Sequence, residues 1–361
     1  MTTVVFAGGG TGGHVYPGLA LVEALRQLKP TIQLRWIGTR GRIEERAVPR
    51  AGVEITYLEV SFLKGRQGAA LFKAGATIPR AVLEAMALLR SWRAGAVVGL
   101  GGFVSGPVCL AASILRIPVF LLEQNAVPGL TNRWAARLAR TVYVSFEESQ
   151  NYFPLQRTVV AGNPVRSELV HLRRRHRPDG APLNLLVFGG SQGARVLNSA
   201  APSVIAAASR NVAAGVSVWH IAGEAARDAV DTAYQQAGVH ARVDSYVDDM
   251  ARAYEWADLV VCRAGATTIA ELTAIGLPAL YVPFPHAADD HQTANARALV
   301  EAGAGLMVTD AEFDADRGRR LLAGVLENPV VLDRMADNAR RRGRGDAATI
   351  IGNDILLKLA I

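Results

Sequence analysis

Three times in this chain a short apolar run ends in glycines and passes into a helical pattern. The stretches are "VVFAGGGTGGHVYPG" from Val4, "VVGLGGFVSGPVCLAA" from Val97 and "NLLVFGGSQGARVLN" from Asn184. An apolar β-branched or aromatic run of this length is the pattern of a buried strand. A proline such as Pro17 followed by "LALVEALRQL" is the pattern of a first turn and an apolar helix face. Glycines between them let backbone N–H groups approach a ligand, and the helix N-terminus behind them carries partial positive charge. One such turn is unremarkable, but three in one chain point to sites for anions such as diphosphates.

The rest of the chain follows the same pattern. In the first half the sequence predicts strands at Thr3–Ala7, Gln33–Ile37, Ile55–Glu59, Ala96–Gly99, Pro118–Leu122 and Thr141–Ser145. Helical patterns lie between them, notably Gly18–Leu28, Leu71–Trp92 and Leu130–Ala139. "VVAGNPVR" then leads into a basic, proline-bearing stretch at residues 173–182, where the first domain gives way to the second. The second half predicts strands at Val216–Ile221, Arg242–Tyr246, Asp258–Cys262 and Leu277–Val282, and a closing helix over Asp346–Leu359. Strands alternating with helices imply parallel sheets covered on both faces. Two such sheets in tandem make two Rossmann-like domains, with ligands expected beyond the carboxyl ends of the strands, in a cleft between the domains.

Composition narrows the function classes. The chain has 361 residues, 50% hydrophobic and 20% charged, enough for two ordered domains. No uninterrupted apolar run is long enough for a membrane-spanning helix, and no secretory signal is expected. Cys109 and Cys262 stand alone in apolar contexts, as core residues of a reducing compartment. No Cys/His cluster has zinc spacing. The net charge of +7 would suit nucleic acid, anionic lipid or a phosphorylated substrate. With aromatics at only 6% and the basic residues dispersed, a nucleic-acid module is not expected.

The opening loop also contains Gly8-x-Gly10-x-x-Gly13, the dinucleotide fingerprint, but "LRWIGTR" ends in Gly38 and Thr39 where a ribose-binding acid would be needed. This argues against a nicotinamide-dependent oxidoreductase. Three further stretches are polar where a loop need not be. Glu123, Gln124 and Asn125 follow an apolar strand; Thr267, Thr268 and Glu271 lie on the first turns of a helix; and His286, Asp289, Asp290, His291, Gln292 and Asn295 cluster together. Glu271 suits either a helix-capping role or both hydroxyls of a ribose. Asp314 and Asp316 have the spacing of a metal-binding Asp-x-Asp, but they sit where a helix begins, so no metal site is expected.

Taken together, "GGGTGGH", "GGFVSGP", "EQN", "GNPVR", "GGSQGAR", "DDMARAYEWADLVVCRAGATTIAEL" and "DDHQTANA" resemble, in order and context, the MurG family of bacterial N-acetylglucosaminyltransferases. The resemblance covers essentially the whole chain. It implies the GT-B fold: an α/β protein of two Rossmann-like domains with parallel sheets facing across a cleft. Residues 1–165 would take the lipid acceptor and the membrane side, and 166–343 the UDP-sugar. A helix at about 344–361 would pack back on the first domain. The implied reaction is an inverting, metal-independent transfer of N-acetylglucosamine from UDP-N-acetylglucosamine to lipid I, forming lipid II for peptidoglycan. No cofactor is implied. The implied location is peripheral, on the cytoplasmic face of the inner membrane, with an anionic lipid surface and proteins of cell-wall synthesis as partners.

Carried over residue by residue, the resemblance assigns the donor to Thr11, Gly12, Gly13, Asn125, Arg166, Ser191, Val247, Ala266, Thr267, Thr268, Ile269, Ala270, Glu271 and Gln292. Glu271 would hold the ribose, Val247 would meet uracil through its backbone, and Ser191 and Thr268 would serve the diphosphate. Gly10, His14, Gly102 and Ser105 would receive the acceptor's diphosphate. The family often carries histidine just before "EQN", where this chain has Leu122. That strengthens His14 as the base, with Glu123 and the 286–291 stretch as alternatives. The membrane-facing segment is expected within Phe62–Arg93, which mixes Leu63, Leu71, Phe72, Ile78 and Trp92 with Lys64, Arg66, Lys73, Arg80 and Arg90. A non-catalytic nucleotide-sugar module and a GT-B transferase with another acceptor are the remaining readings.

Overall fold

The computed structural model describes residues 2–60, 69–175, 177, 178, 180–190, 194–314 and 316–361, with the backbone alone for 69–76. The chain forms two compact units, Met1–Ser167 with Gly345–Ile361, and Glu168–Arg344.

The first unit holds seven parallel strands: β1 (Thr3–Gly8), β2 (Gln33–Gly38), β3 (Glu54–Tyr57), β4 (Ala94–Gly101), β5 (Val119–Glu123), β6 (Thr141–Val144) and β7 (Thr158–Val160). Their order is β3-β2-β1-β4-β5-β6-β7. The strands read as continuous apolar runs because helices cover both faces. Alternate residues go to opposite sides: Val5, Ala7, Val97 and Leu121 join one core cluster, and Val4, Phe6, Val98 and Leu122 the other. The second unit repeats the plan with β8 (Leu183–Phe188), β9 (Val216–Ile221), β10 (Ala241–Asp244), β11 (Leu259–Cys262), β12 (Ala279–Tyr281) and β13 (Gly305–Met307). Its order is β10-β9-β8-β11-β12-β13, again all parallel.

In each sheet the strand order reverses once, between β1 and β4 and between β8 and β11. A crevice opens at the carboxyl ends of such a pair, because the two connecting helices leave to opposite faces. Gly8 pairs with Gly101 there in the first unit, and Phe188 with Cys262 in the second. The glycine turns expected from sequence therefore stand at the switch points.

Several local expectations are corrected. The first helix spans Gly12–Leu28 and not Gly18–Leu28, so Gly12, Gly13 and His14 form its first turn. The Thr11 carbonyl starts it by accepting from the N–H groups of His14 and Val15, each at 3.2 Å. Pro17 lies inside the helix, where it donates no bond and its ring crowds the carbonyl of the preceding turn. The helix expected over Leu130–Ala139 stops at Ala135, since the chain must turn for Arg140 N–H to reach the Val119 carbonyl at 2.7 Å and open β6. The strands β7 and β13 were not anticipated; each has three residues, too few for a periodic signal. The helix over Ala69–Ser91 takes the place of Leu71–Trp92.

The closing helix, Ala347–Leu359, packs in the first unit against Gly12–Leu28. Its buried stripe is Ala348, Ile351, Gly352, Ile355 and Leu356. A Cβ on Gly352 would come 2.9 Å from Leu28 Cδ1, so the two helices approach closely at that point. Tyr143 Oη on β6 donates to Asp354 Oδ2 at 2.6 Å, and Lys358 Nζ donates to the same oxygen at 2.6 Å and to Thr141 Oγ1 at 2.9 Å.

Candidate active site

At the β1/β4 switch point the two glycine loops touch each other and His14. His14 Nδ1 lies 3.2 Å from the Gly9 carbonyl oxygen. A carbonyl only accepts, so Nδ1 carries the hydrogen, and in the neutral imidazole the lone pair lies on Nε2. That Nε2 faces the second loop: a Cβ on Gly101 would come 3.0 Å from it. A Cβ on Gly102 would come 2.7 Å from the Gly9 oxygen. Gly101 and Gly102 have φ of +94° and +77°, so a side chain at either position is excluded by both space and backbone.

The other side of the first loop is occupied by a residue that sequence reasoning missed. Glu44 begins the short helix Glu44–Arg50 and is fully buried. Its Oε2 accepts from Gly10 N–H at 2.9 Å, and its Oε1 accepts from Thr39 N–H at 3.1 Å and Thr39 Oγ1 at 2.7 Å. A Cβ on Gly9 would fall 2.0 Å from Oε1, so only glycine admits the carboxylate here. Glu44 and Val48, four apart, are the buried pair of their helix. A carboxylate on an apolar helix face was the available signal.

The remaining expected residues of the first unit have the following surroundings. Thr11 is exposed at the helix N-cap; Gly12 and Gly13 are the first two helical positions, whose N–H groups point out of the helix end. Ser105 begins the helix Ser105–Ile114, but its hydroxyl is buried 3.7 Å from Cys109 Sγ, so its backbone N–H is what it can offer a ligand. Glu123 is also buried. It accepts from Asn125 N–H at 2.9 Å, Asn125 Nδ2 at 3.4 Å and Asn132 Nδ2 at 2.9 Å. Burial pushes its carboxyl above the usual range, with these donors opposing. Leu122 is buried in the core beside β4. The Arg166 guanidinium lies over the Tyr16 ring at 5.6 Å from its centroid.

In the second unit Gly265 caps the helix Ala266–Ile275, which carries Thr267 and Thr268 half-buried on its first turn. Ile269 and Glu271 are buried, and Ala270 is half-buried. Glu271 Oε2 accepts from Tyr254 Oη at 2.8 Å, a partner not foreseen from sequence. Val247, after β10, is half-buried; Gln292 Oε1 accepts from Phe284 N–H at 3.0 Å. In the 286–291 stretch His286 meets the edge of Phe284, and His291 Nδ1 donates to the Ala288 carbonyl at 2.7 Å. Asp316 heads the helix Asp316–Leu326 and pairs with Arg319 and Arg320. Ser191 and Gln192 lie outside the described residues, as do Phe62, Leu63, Lys64 and Arg66. Among the described residues no group of three or more His, Cys, Asp or Glu side chains could hold a metal ion. No helix among them is long and apolar enough to cross a membrane.

Residues 4–144 match the glycosyltransferase family 28 N-terminal domain, and 184–349 match the family's C-terminal domain. A relative from Aeromonas hydrophila is 43% identical over 353 residues, covering 98% of this chain and 96% of its own. One from Trichlorobacter lovleyi is 37% identical over 370 residues, covering 98% and 97%. Both are named UDP-N-acetylglucosamine--N-acetylmuramyl-(pentapeptide) pyrophosphoryl-undecaprenol N-acetylglucosamine transferase. The solved structure of Acinetobacter baumannii MurG superposes with a TM-score of 0.81 at 33% identity, covering 99% of this chain and 100% of that one. A UDP-GlcNAc 2-epimerase from Neisseria meningitidis shares the fold, with a TM-score of 0.67 at 15% identity.

Proposed function

The chain belongs to glycosyltransferase family 28, and on that footing we propose that it transfers N-acetylglucosamine from UDP-N-acetylglucosamine to undecaprenyl-diphospho-N-acetylmuramoyl-pentapeptide, lipid I, forming lipid II. The observation that carries this reading is the near full-length identity to transferases of that name, combined with two switch-point sites suited to diphosphates.

The proposed chemistry assigns a role to each unit. The first unit binds the lipid acceptor and the second the nucleotide sugar. His14 is the base: its Nε2 takes the proton of the acceptor sugar's hydroxyl as that oxygen bonds to the anomeric carbon of the donor. The bond from that carbon to the UDP oxygen breaks with inversion, and the electron pair leaves on UDP. Glu123 is the weaker alternative, because its buried oxygens are already held by Asn125 and Asn132. Charge developing on UDP meets the amides and threonine hydroxyls at the start of Ala266–Ile275, together with Ser191. Glu271 receives the ribose hydroxyls, Val247 the uracil, and Gln292 the sugar. Gly10 N–H donates to Glu44 and His14 N–H to the Thr11 carbonyl, which favours the Gly102 and Ser105 amides for the acceptor's diphosphate.

Because lipid I is embedded in a leaflet and no described helix crosses one, we place the protein peripherally on the cytoplasmic face of the inner membrane. The exposure of Leu83 on the helix Ala69–Ser91 and the net charge of +7 favour contact with anionic lipid through that region. Proteins of cell-wall synthesis are the expected partners there. The test is transfer of radiolabel from UDP-N-acetylglucosamine to a lipid I analogue. Donor binding without formation of the disaccharide would leave only a nucleotide-sugar module. His14→Ala should lower turnover by at least ~100-fold with donor affinity nearly unchanged.

A further inference from the structure

Gly9 C=O and Gly10 N–H belong to one peptide group. Glu44 holds its N–H at 2.9 Å, and His14 Nδ1 donates to its C=O at 3.2 Å. The peptide is planar, so fixing one end fixes the direction of the other. An anionic acceptor on the N–H strengthens the polarisation of the same group's carbonyl, and hydrogen bonds in series reinforce one another. We infer that Glu44 is a positioning residue for His14: through the Gly9–Gly10 peptide its carboxylate aims the imidazole and supports the positive charge that the ring gains with the acceptor's proton.

The surroundings are built for this arrangement. Gly9 has no Cβ because Glu44 Oε1 occupies that place, and Gly102 none because the Gly9 oxygen does. Thr39 supplies two donors that hold Glu44 Oε1, leaving Oε2 directed at Gly10. The carboxylate is fully buried, so its charge is little screened by solvent. Such an arrangement orients and stabilises an imidazole as a directly bonded carboxylate does in a hydrolase triad, with a peptide group interposed. The inference rests on His14 being the base.

The test compares Glu44→Gln, His14→Ala and the double variant, with lipid I analogue and UDP-N-acetylglucosamine both saturating. Glutamine keeps an oxygen for Gly10 and removes the charge. Turnover of E44Q should fall about 5- to 10-fold, the difference between a charged and a neutral acceptor, while donor affinity stays as in wild type. With the anion gone the imidazolium is less favoured, so the acid limb of the turnover profile should move to lower pH by roughly half a unit. Arg40, Arg42 and Glu45, which follow β2, and Glu123 and Arg166 are all kept in E44Q, so the shift reads the Glu44 charge. The double variant should be no slower than His14→Ala. An E44Q effect of the same factor on the His14→Ala background, or an unmoved acid limb in folded E44Q, overturns the inference. If His14→Ala keeps wild-type turnover, the base assignment fails and takes this inference with it, an outcome distinct from the other two. Should E44Q not fold, Thr39→Val removes a competing donor from the carboxylate and should move the limb the opposite way; an unmoved limb there also overturns it.

Discussion

Replacement of Glu271 by glutamine tests the donor site most directly. The side chain is 6% exposed and its Oε2 accepts from Tyr254 Oη at 2.8 Å. Deleting it to alanine would remove the proposed ribose contact and also leave the buried Tyr254 hydroxyl without this acceptor, which costs roughly 1–3 kcal/mol of folding stability. Affinity and stability would then fall together and the result would be ambiguous. Glutamine keeps an oxygen for Tyr254. A hydrogen bond to a charged group contributes about 1.5–3 kcal/mol and a neutral one about 0.5–1.5, so the exchange should cost about 1–1.5 kcal/mol of donor binding. That is a weakening of about 5- to 13-fold for UDP-N-acetylglucosamine, read by calorimetry, with the denaturation midpoint nearly unchanged. Tyr254→Phe is the matched control: about 1 kcal/mol less stable, with donor affinity within ~3-fold of wild type. Wild-type affinity in a stably folded E271Q would remove Glu271 from the ribose. Equal losses of affinity in E271Q and Y254F would mean that the carboxylate acts only by holding the Tyr254 segment.

Three further outcomes follow from other parts of the molecule. Burial brings the His220 imidazole down to about 3, against ~6.5 when unfolded, so the unfolded chain binds the extra proton between these values. Stability should be complete above pH ~6.5 and fall on acidification by up to ~1.4 kcal/mol per unit from this group; His220→Gln should flatten the slope by about one proton, and an unchanged slope would contradict the assignment. Asp354→Ala should lower unfolding free energy by about 1–3 kcal/mol, because Tyr143 Oη and Lys358 Nζ lose a shared acceptor; a change under ~0.5 kcal/mol in denaturant titration would show that the closing helix is held by its apolar stripe alone. Transfer activity should survive EDTA, and a loss restored by magnesium or manganese would reopen the role of Asp314 and Asp316.

The apolar periodicity of "VVFAG", "AVVGLG" and "NLLVFG" was enough to set strands before glycine turns, and their repetition set two α/β sheets. Strand and helix patterns are local, because burial on a sheet or helix face repeats along the chain. The motif order also fixed the family, since those residues are contiguous in sequence. Tertiary structure decided what the polar side chains touch. Glu44 reaches Gly10 across 34 positions, and Tyr254 reaches Glu271 across 17. Tyr143 meets Asp354 across 211. No periodicity encodes such pairings, because they depend on which strand ends the topology brings side by side. The same holds for His14: a lone histidine after glycines says nothing about its tautomer until the Gly9 carbonyl is placed beside Nδ1. The first turn from Gly12 was hidden for a related reason. Glycines argue against a helix locally and Pro17 has the pattern of a first turn, so both set the start too late; the bonds to the Thr11 carbonyl begin it at Gly12.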